Sequence, residues 1–436
     1  MGTTAAVAAG LSLLATHDRA GEVLTPARVF ASPDLGGPTA RGVQMAPDGS
    51  AVTWLKSKPS DVTVTDLWIA DVAGGSSRLL IDGAALSPKD HTLSEAEKSR
   101  REREGVQTHG VVDYAWDDEG RFIVVPVEGH LWLFVRESGA VRQLTNTPAS
   151  DIDAKVSPKG GYVSFIRDDN LYIVPTAGGP ERALTQGGTE LRSWGTAEFI
   201  AQEEFDRSTG YWWSPDETRI ALTRVDQSEV DVIERPEIGA TGATVVRQRY
   251  PRAGRRNAQV ELYIEDLATL TRTRVDLGSS SDIYIPRVDW SKDGRILYVQ
   301  RLSRDQRHLE VLAVDPTNGT ARVILAESSP HWVEVTSDFT PLHDGRFLWT
   351  SERSGYRHLY LYSGSGQLIR QLTHGEWPVG MIEGVDEARG IAVIGASKDN
   401  PTERRLYAVS WLWQGPPVAI TAAGGWWTAV VAKRGG

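Results

Sequence analysis

Seven copies of one short pattern recur along this chain, and the recurrence constrains its fold more than any other feature. The first mark of each copy is a Leu followed by an aromatic residue, or once by Glu, at Leu67, Leu131, Leu171, Leu262, Leu309, Leu359 and Leu406. Most of these marks lie about 40 to 50 residues apart, the period of a β-propeller blade with three or four short strands. The pattern predicts an all-β propeller with about seven blades, and a β-sandwich with fortuitous spacing is the alternative.

Two further marks keep a fixed order around the Leu positions. A turn of the form apolar residue, Ser or Ala, Pro or Lys, Asp and Gly precedes strand-like runs at 46–49, 116–120, 156–160, 213–216 and 290–294, with looser copies at 343–345 and 387–390. A closing Arg-x-Leu-Thr follows at 142–145, 182–185 and 370–373. An ordered set of marks is hard to obtain by accident, so it favours the propeller over the sandwich.

Two intervals between the Leu marks are longer and predict insertions. The first insertion, 87–105, contains the one helix that the sequence predicts. Ser94 and Glu97 form a capping box, Arg101 lies four residues after Glu97 as an opposite charge, and Gly105 suits the end of the helix. The alternative interpretation is a surface helix whose charges are only solvated.

The second insertion, 232–257, indicates a two-stranded arm. Residues 232–235 and 244–250 are extended in pattern and are joined through residues 239–242, which begin and end with Gly. An arm of this kind leaves unpaired strand edges, and such edges are usually covered by a partner. We therefore expect a homodimer that forms through residues 232–257.

Charge and cysteine content exclude several classes of partner. The net charge is −10 and the isoelectric point is about 5.5, so we expect no binding to nucleic acid or to an anionic membrane surface, which call for basic patches. The chain has no Cys, which excludes disulfides, thiolate metal sites and a Cys nucleophile and leaves the compartment undecided.

The first residues suggest processing or disorder. Residues 5–15 are apolar over the length of a signal-peptide core, are too short to span a bilayer, and have no Lys or Arg before them. We expect residues 1–22 to be a signal remnant or a disordered terminus, and residues 23–436 to be the propeller. A periplasmic or secreted location is expected, with a cytoplasmic one as the alternative.

Motifs for catalysis and for cofactors are missing. A serine hydrolase of the α/β type needs Gly-x-Ser-x-Gly, and the chain has none. Zinc, dinucleotide, nucleotide-phosphate and calcium motifs are also lacking. We therefore expect no catalytic residue, no metal and no cofactor in this chain. Glycoside hydrolysis needs two carboxyl groups on separate elements, so a single dipeptide is poor support for it.

The candidate binding residues are two adjacent carboxylates, Glu203 and Glu204, which precede a Tyr-Trp-Trp-Ser-Pro run at 211–215. Two carboxylates suit the capture of a cation, and neighbouring residues converge on one ligand only from a helical turn or a bent loop. The cation that we favour is the free amino terminus of a substrate. Taken alone, a Glu-Glu pair on a solvated surface is the simpler interpretation.

Longer runs around this pair closely resemble the dipeptidyl peptidase IV family of serine exopeptidases. The matching runs are 202–205, 211–215, 221–226, 250–254 with Asn257, 351–360 and 372–377, while 24–33 and 93–104 look like the bacterial branch. The resemblance implies an eight-bladed propeller that caps an α/β-hydrolase domain and admits peptides, from which dipeptides are removed after Pro or Ala. It also implies that Glu203 and Glu204 bind the peptide α-ammonium.

The chain also departs from the family pattern. The arginine that assists the pair in animal members has no match, since the corresponding strand reads Gly-His-Leu-Trp at 129–132. We take Arg101 as the first substitute, with Arg100 or Arg103 behind it. We expect the eighth blade to be only begun and the hydrolase domain to be absent from this sequence. The resulting hypothesis is a substrate-recognition and gating propeller that is not catalytic alone; rivals are a non-catalytic binding or scaffold propeller, and a propeller whose hydrolase half is a separate polypeptide.

Overall fold

Short antiparallel strands dominate the backbone in the computed structural model, which describes residues 24–31, 35–87, 93–239 and 241–433. The terminus predicted over 1–22 lies outside these residues. None of the helices in the described ranges is long and apolar enough to cross a membrane.

Seven sheets follow one another along the described part of the chain, and each has a path of four antiparallel strands. The first three contain β1 (Arg41–Met45), β2 (Ala51–Ser57), β3 (Val64–Asp71) and β4 (Arg78–Ile81), with β5 (His109–Gly110) added parallel to β3; then β6 (Ala115–Trp116), β7 (Phe122–Val127), β8 (His130–Val135) and β9 (Ala140–Gln143); then β10 (Ile152–Val156), β11 (Tyr162–Arg167), β12 (Asn170–Pro175) and β13 (Arg182–Ala183).

The fourth and fifth sheets have a first strand in two pieces, and the fourth sheet also carries the arm. They contain β14 (Arg192–Trp194), β15 (Tyr211–Trp213), β16 (Arg219–Asp226), the arm strands β17 (Val232–Gly239) and β18 (Gly242–Arg249), β19 (Gln259–Asp266) and β20 (Arg272–Arg274); then β21 (Ile283–Tyr284), β22 (Val288–Trp290), β23 (Leu297–Ser303), β24 (His308–Val314) and β25 (Ala321–Ser328). The last two contain β26 (Thr340–Pro341), β27 (Phe347–Ser351), β28 (His358–Tyr362) and β29 (Leu368–Gln371); then β30 (Val379–Asp386), β31 (Ile391–Ala396), β32 (Arg405–Ser410) and β33 (Val418–Ala419).

The three sequence marks occupy equivalent places in these sheets. Every Leu mark lies in the third strand and is buried, and the turn mark always joins the first strand to the second. The closing Thr has a specific partner: its hydroxyl accepts a hydrogen bond from the backbone N–H of the Leu mark, as between Leu131 and Thr145 (3.0 Å) and between Leu359 and Thr373 (2.9 Å). The Thr side chain thus extends the pairing of the third and fourth strands beyond the backbone ladder.

Apolar clusters join each sheet to the next. Leu67 packs with Ile123 between the first and second sheets, and Leu359 packs with Ile394 between the sixth and seventh. Equivalent clusters fill the other four consecutive interfaces. Within the described ranges no such cluster joins the seventh sheet to the first. Serial packing of four-stranded antiparallel sheets is the architecture of a β-propeller, so the predicted all-β propeller with about seven blades is confirmed.

Four short helices lie among the described residues: α1 (Pro26–Val29), α2 (Gly83–Leu86), α3 (Glu95–Arg103) and α4 (Phe199–Glu204). The sequence predicted α3 correctly. The Ser94 hydroxyl accepts a hydrogen bond from the backbone N–H of Glu97 at 3.3 Å, and the Arg101 side chain pairs with the Glu97 carboxylate at 2.7 Å. The helix α4 was not predicted as such, although a helical turn was one of two conformations expected for the residues it contains.

The predicted arm is a hairpin. Strands β17 and β18 pair with each other in one continuous antiparallel register that ends at Gly239 and Gly242. Apolar side chains are exposed on it, since Ile238 is 82% and Val245 is 67% exposed. The arm therefore offers both strand edges and apolar surface, while the homodimer stays a prediction.

Candidate functional site

The carboxylate pair lies on a loop that interrupts the first strand of the fourth sheet. Strands β14 and β15 both pair with β16, and residues 195–210 leave the sheet between them. We call residues 195–210 the Glu-pair loop. An isolated bridge between Thr196 and Thr209 closes it at its base. The sheet thus fixes both ends of the loop, and α4 lies at its far end.

The pattern of burial in α4 shows that both carboxylates face outward. Ala201 is fully buried and Phe205, four residues later, is 5% exposed, whereas Glu203 and Glu204 are exposed. Residues four apart share one helix face, so the apolar face packs on the propeller and the acidic residues lie on the other side. A helix of six residues is not stable alone. The position of the pair therefore depends on the contacts of the loop.

One arginine of the inserted helix α3 meets the pair. Arg103 donates from Nε to Glu203 Oε1 at 2.5 Å and from Nη1 to Gln202 Oε1 at 2.8 Å. The Arg103 side chain is 31% exposed and that of Glu203 is 37% exposed. The insertion between the first and second sheets thus reaches a loop of the fourth sheet, and a guanidinium lies directly beside the candidate binding group.

The first sequence candidate, Arg101, is placed differently. Its guanidinium is buried, donates to Glu97 at 2.7 Å and lies 3.8 Å from a carboxylate oxygen of Glu128. Arg100 pairs with Glu97 and with Glu104. Of the three candidate arginines, Arg103 is the one brought to the pair, and a contact between Arg101 and substrate stays a prediction.

Cations from the neighbouring sheets hold the backbone of the loop and of the strand that follows it. Lys155, in the first strand of the third sheet, donates from Nζ to the carbonyl oxygen of Tyr211 at 2.9 Å. Arg287, between β21 and β22 of the fifth sheet, donates to the carbonyl oxygen of Phe205 at 2.5 Å and to the Ser337 hydroxyl at 3.0 Å. These contacts tie the return strand and the carboxyl end of α4 to the blades on either side.

The recess around Lys155 is partly buried, since the Lys155 and Asp153 side chains are 28% and 23% exposed. Burial lowers the pKa of the Lys155 ammonium and raises the pKa of the Asp153 carboxyl, and the attraction between the two groups opposes both shifts. The Asp153 carboxylate also accepts a hydrogen bond from the Thr209 hydroxyl at 2.6 Å. Water competes weakly in such a setting, so charged contacts are stronger there than in bulk solvent.

Neither Lys155 nor Arg287 was singled out from the sequence. The available signal in the sequence was weak. Each residue is a lone cation in or beside the first strand of a repeat, and each has one acidic residue close to it in the same strand region. An alignment of the first strands of all repeats would have shown Lys155 and Arg287 as charged residues at positions where one blade lies close to the next.

Gly210 allows the loop to close. A Cβ atom at this position would lie 2.2 Å from the carbonyl oxygen of Thr196, closer than any real contact. We expect Gly210→Ala to lower the free energy of unfolding by about 1–3 kcal/mol, because backbone atoms must move apart. Urea unfolding measures this, and Gly415→Ala, where nothing lies within 4 Å, is the matched control. Equal stabilities of the two variants would contradict the prediction.

Fold and loop together define a β-propeller that presents an acidic pair on a helix inserted into one blade. The family profile described as the dipeptidyl peptidase IV (DPP IV) N-terminal region matches residues 118–436. The chain belongs to this family, as its sequence resemblance indicated.

Similar proteins agree with this assignment. A probable dipeptidyl peptidase 4 of Aspergillus fumigatus is 28% identical over 320 residues, which cover 69% of this chain and 41% of the fungal protein. Dipeptidyl peptidase 8 of Homo sapiens is 26% identical over 425 residues, which cover 76% of this chain and 47% of the human protein. The chain thus spans less than half the length of these relatives.

Solved structures show the same fold. The crystal structure of Porphyromonas gingivalis dipeptidyl peptidase 4 superposes with a TM-score of 0.73 at 23% identity, covering 87% of this chain and 53% of that one. A putative dipeptidyl aminopeptidase IV from Bacteroides ovatus gives a TM-score of 0.60 at 22% identity, covering 86% and 52%.

Proposed function

We propose that this chain is the substrate-recognition and gating propeller of a dipeptidyl peptidase IV-like serine exopeptidase. In this proposal Glu203 and Glu204 bind the α-ammonium of a peptide from which an X-Pro or X-Ala dipeptide is removed. The observation that carries it is the exposed carboxylate pair on α4, which lies inside the region matched by the family profile. The chain alone is not expected to be catalytic.

The charges of the pair suit an ammonium group. Glu203 already accepts from Arg103, whereas the Glu204 carboxylate has no ion pair or hydrogen bond within the described part of the chain. An ammonium carries three N–H donors and forms charge-assisted hydrogen bonds with carboxylates. It can therefore bind Glu204 directly and share Glu203 with the arginine.

Anchoring the amino terminus would also set the length of the product. When the α-ammonium is held at a fixed point, the peptide can extend only a limited distance toward a reacting centre. The binding energy of the ammonium group then serves to position the peptide bond that reacts. Arg103 lies beside Glu203, where its remaining N–H groups can meet a carbonyl oxygen of the same peptide. This arrangement supports a role for α3 in recognition.

A pair of ligands tests the proposal. The chain is titrated with Ala-Pro and with N-acetyl-Ala-Pro, and binding is followed by NMR. We expect the free dipeptide to bind at least about tenfold more tightly, corresponding to about 1.4 kcal/mol, since acetylation removes the ammonium charge. The control is Glu234→Gln, on the arm, where the side chain is 65% exposed. This variant should keep the preference for Ala-Pro over N-acetyl-Ala-Pro. Equal affinities for the two ligands would refute an ammonium site.

We further propose that the arm is a dimer interface, because it carries unpaired strand edges and exposed Ile238 and Val245. Deletion of residues 239–244 is expected to lower the dimer fraction of a full-length protein that contains this chain. Light scattering measures the mass. Leu270→Ser, at another exposed apolar residue, is the control; an unchanged mass after the deletion would exclude the arm as the interface.

A further inference from the structure

A buried ion pair joins the two ends of α4, the helix that contains the carboxylate pair. Arg207 donates from Nη2 to Glu198 Oε2 at 2.7 Å, and the two side chains are only 4% and 5% exposed. Glu198 is the residue that precedes the helix, and Arg207 follows its last residue by three. The contact therefore joins the point where the loop enters the helix to the point where it leaves.

The Arg207 guanidinium also joins the helix to the returning strand. It donates from Nη1 to the carbonyl oxygen of Thr209 at 2.6 Å and lies 5.8 Å from the centre of the Trp212 ring. The backbone N–H of Arg207 donates to the carbonyl oxygen of Ala201 at 2.9 Å. One residue, through its side chain and its backbone N–H, thus links the entry, the last turn and the exit of α4.

The helix lacks the usual means of fixing its own first turn. The Glu198 side chain makes no capping hydrogen bond to the helix, although an acceptor at this position normally satisfies one of the free N–H groups. The carboxylate is turned inward to Arg207 instead. The Glu198 carboxylate therefore closes the loop through Arg207 and does not cap the helix.

Stability alone does not account for such a pair. Burying two charges costs several kcal/mol per ion, and well-packed apolar residues are often as stabilising. Breaking the pair by removing one charge is costly, because the other charge stays buried. Buried ion pairs select one conformation in some proteins, and here Glu203 and Glu204 lie on the helix whose two ends the pair joins.

We propose that Glu198 and Arg207 are positioning residues of the ammonium site: without touching the ligand, their ion pair holds α4 so that Glu203 and Glu204 point to one place. The inference rests on the proposed function for its role in binding. Its structural half, the control of the position of α4, can be measured independently.

The lack of native cysteines makes a distance measurement straightforward. Spin labels are attached at Glu204→Cys on α4 and at Ser365→Cys, an exposed residue between β28 and β29, and electron–electron resonance gives the distribution of their separation. We expect Glu198→Gln to widen this distribution by about twofold or more, because the Arg207 charge stays buried without its partner. We expect the same of Arg207→Lys, because an ammonium lacks the forked geometry that contacts both Glu198 and the Thr209 carbonyl oxygen. The reversed pair, Glu198→Arg with Arg207→Glu, should narrow the distribution only in part, because a carboxylate at position 207 cannot donate to the Thr209 carbonyl oxygen.

Two controls separate this effect from general damage. Glu229→Gln breaks an exposed ion pair with Arg256, whose side chains are 55% and 70% exposed, and should leave the width unchanged. The midpoint of thermal unfolding is recorded for each variant. If Glu198→Gln does not fold, Arg207→Lys decides the question, since it keeps the charge and loses the forked contact.

Binding is then measured on unlabelled chains with Ala-Pro and N-acetyl-Ala-Pro. A widened distribution with at least about a tenfold loss of the preference for the free amino group supports the proposal. An unchanged width, or a widened one with the preference intact, overturns it. If the wild-type chain itself shows no preference, the proposed function fails, and the distance distributions still decide whether the ion pair positions α4.

Discussion

Replacing either Glu203 or Glu204 by Gln is expected to lower kcat/KM for a Gly-Pro or Ala-Pro amide by about 2–4 kcal/mol, in a full-length protein that contains this chain. The substitution keeps the shape of the side chain and removes the charge that pairs with the α-ammonium. A carboxylate forms charge-assisted hydrogen bonds with an ammonium group, and a neutral amide replaces these poorly. Steady-state kinetics on the two single variants measure the effect.

Controls for this experiment come from the ligand and from the protein. A substrate with a blocked amino group should be poor for the wild type and for both variants alike, since it lacks the charge in question. Glu234→Gln, on the exposed arm, should leave kcat/KM unchanged. If the Glu203 and Glu204 variants match the wild type within about twofold, the pair is an ordinary solvated surface pair, for which a loss under about 0.5 kcal/mol is expected.

Trp349→Ala is expected to lower the free energy of unfolding by about 3–5 kcal/mol. The Trp349 side chain is 1% exposed and belongs to the cluster between the fifth and sixth sheets, where it packs with Phe339. Its indole N–H donates to the Glu327 carboxylate at 3.0 Å. Truncation would leave a cavity at one blade interface and remove one donor from the Glu327 carboxylate, which keeps its ion pair with Arg353.

Chemical unfolding measures this loss, with Trp332→Ala as the matched control. Trp332 is 63% exposed, so its truncation should cost no more than about 0.5 kcal/mol. Similar losses for the two variants would show that the interface between the fifth and sixth sheets does not carry the stability that its burial implies.

The repeats made the fold predictable because each mark has a physical role that recurs from blade to blade. A Leu in a third strand must be apolar, since it is buried against the next sheet. A turn between the first and second strands favours Pro, Asp and Gly. The Thr after the fourth strand satisfies a backbone N–H of the third. Requirements of this kind involve residues of one blade only, so the residues that meet them recur at similar spacings along the chain.

The choice between the arginines of α3 was not predictable in this way. Residues 101 and 103 lie about 200° apart around a helix axis, so their side chains leave the helix on nearly opposite sides. Arg101 points toward Glu97 and Glu128, and Arg103 points toward Glu203. Which of them meets the loop depends on how α3 docks, and docking is a property of surfaces that are distant in the sequence.

The sequence by itself determined the class of fold, the inserted helix, the arm and the identity of the carboxylate pair, because periodicity, capping and turn chemistry act over a few residues. Only the tertiary structure decided what holds that pair in place. Lys155 and Arg287 come from different blades, and Arg103 lies 100 positions before Glu203. A lone cation carries no local signature of the carbonyl or carboxylate that it will meet, since only the packing of the blades brings the two together.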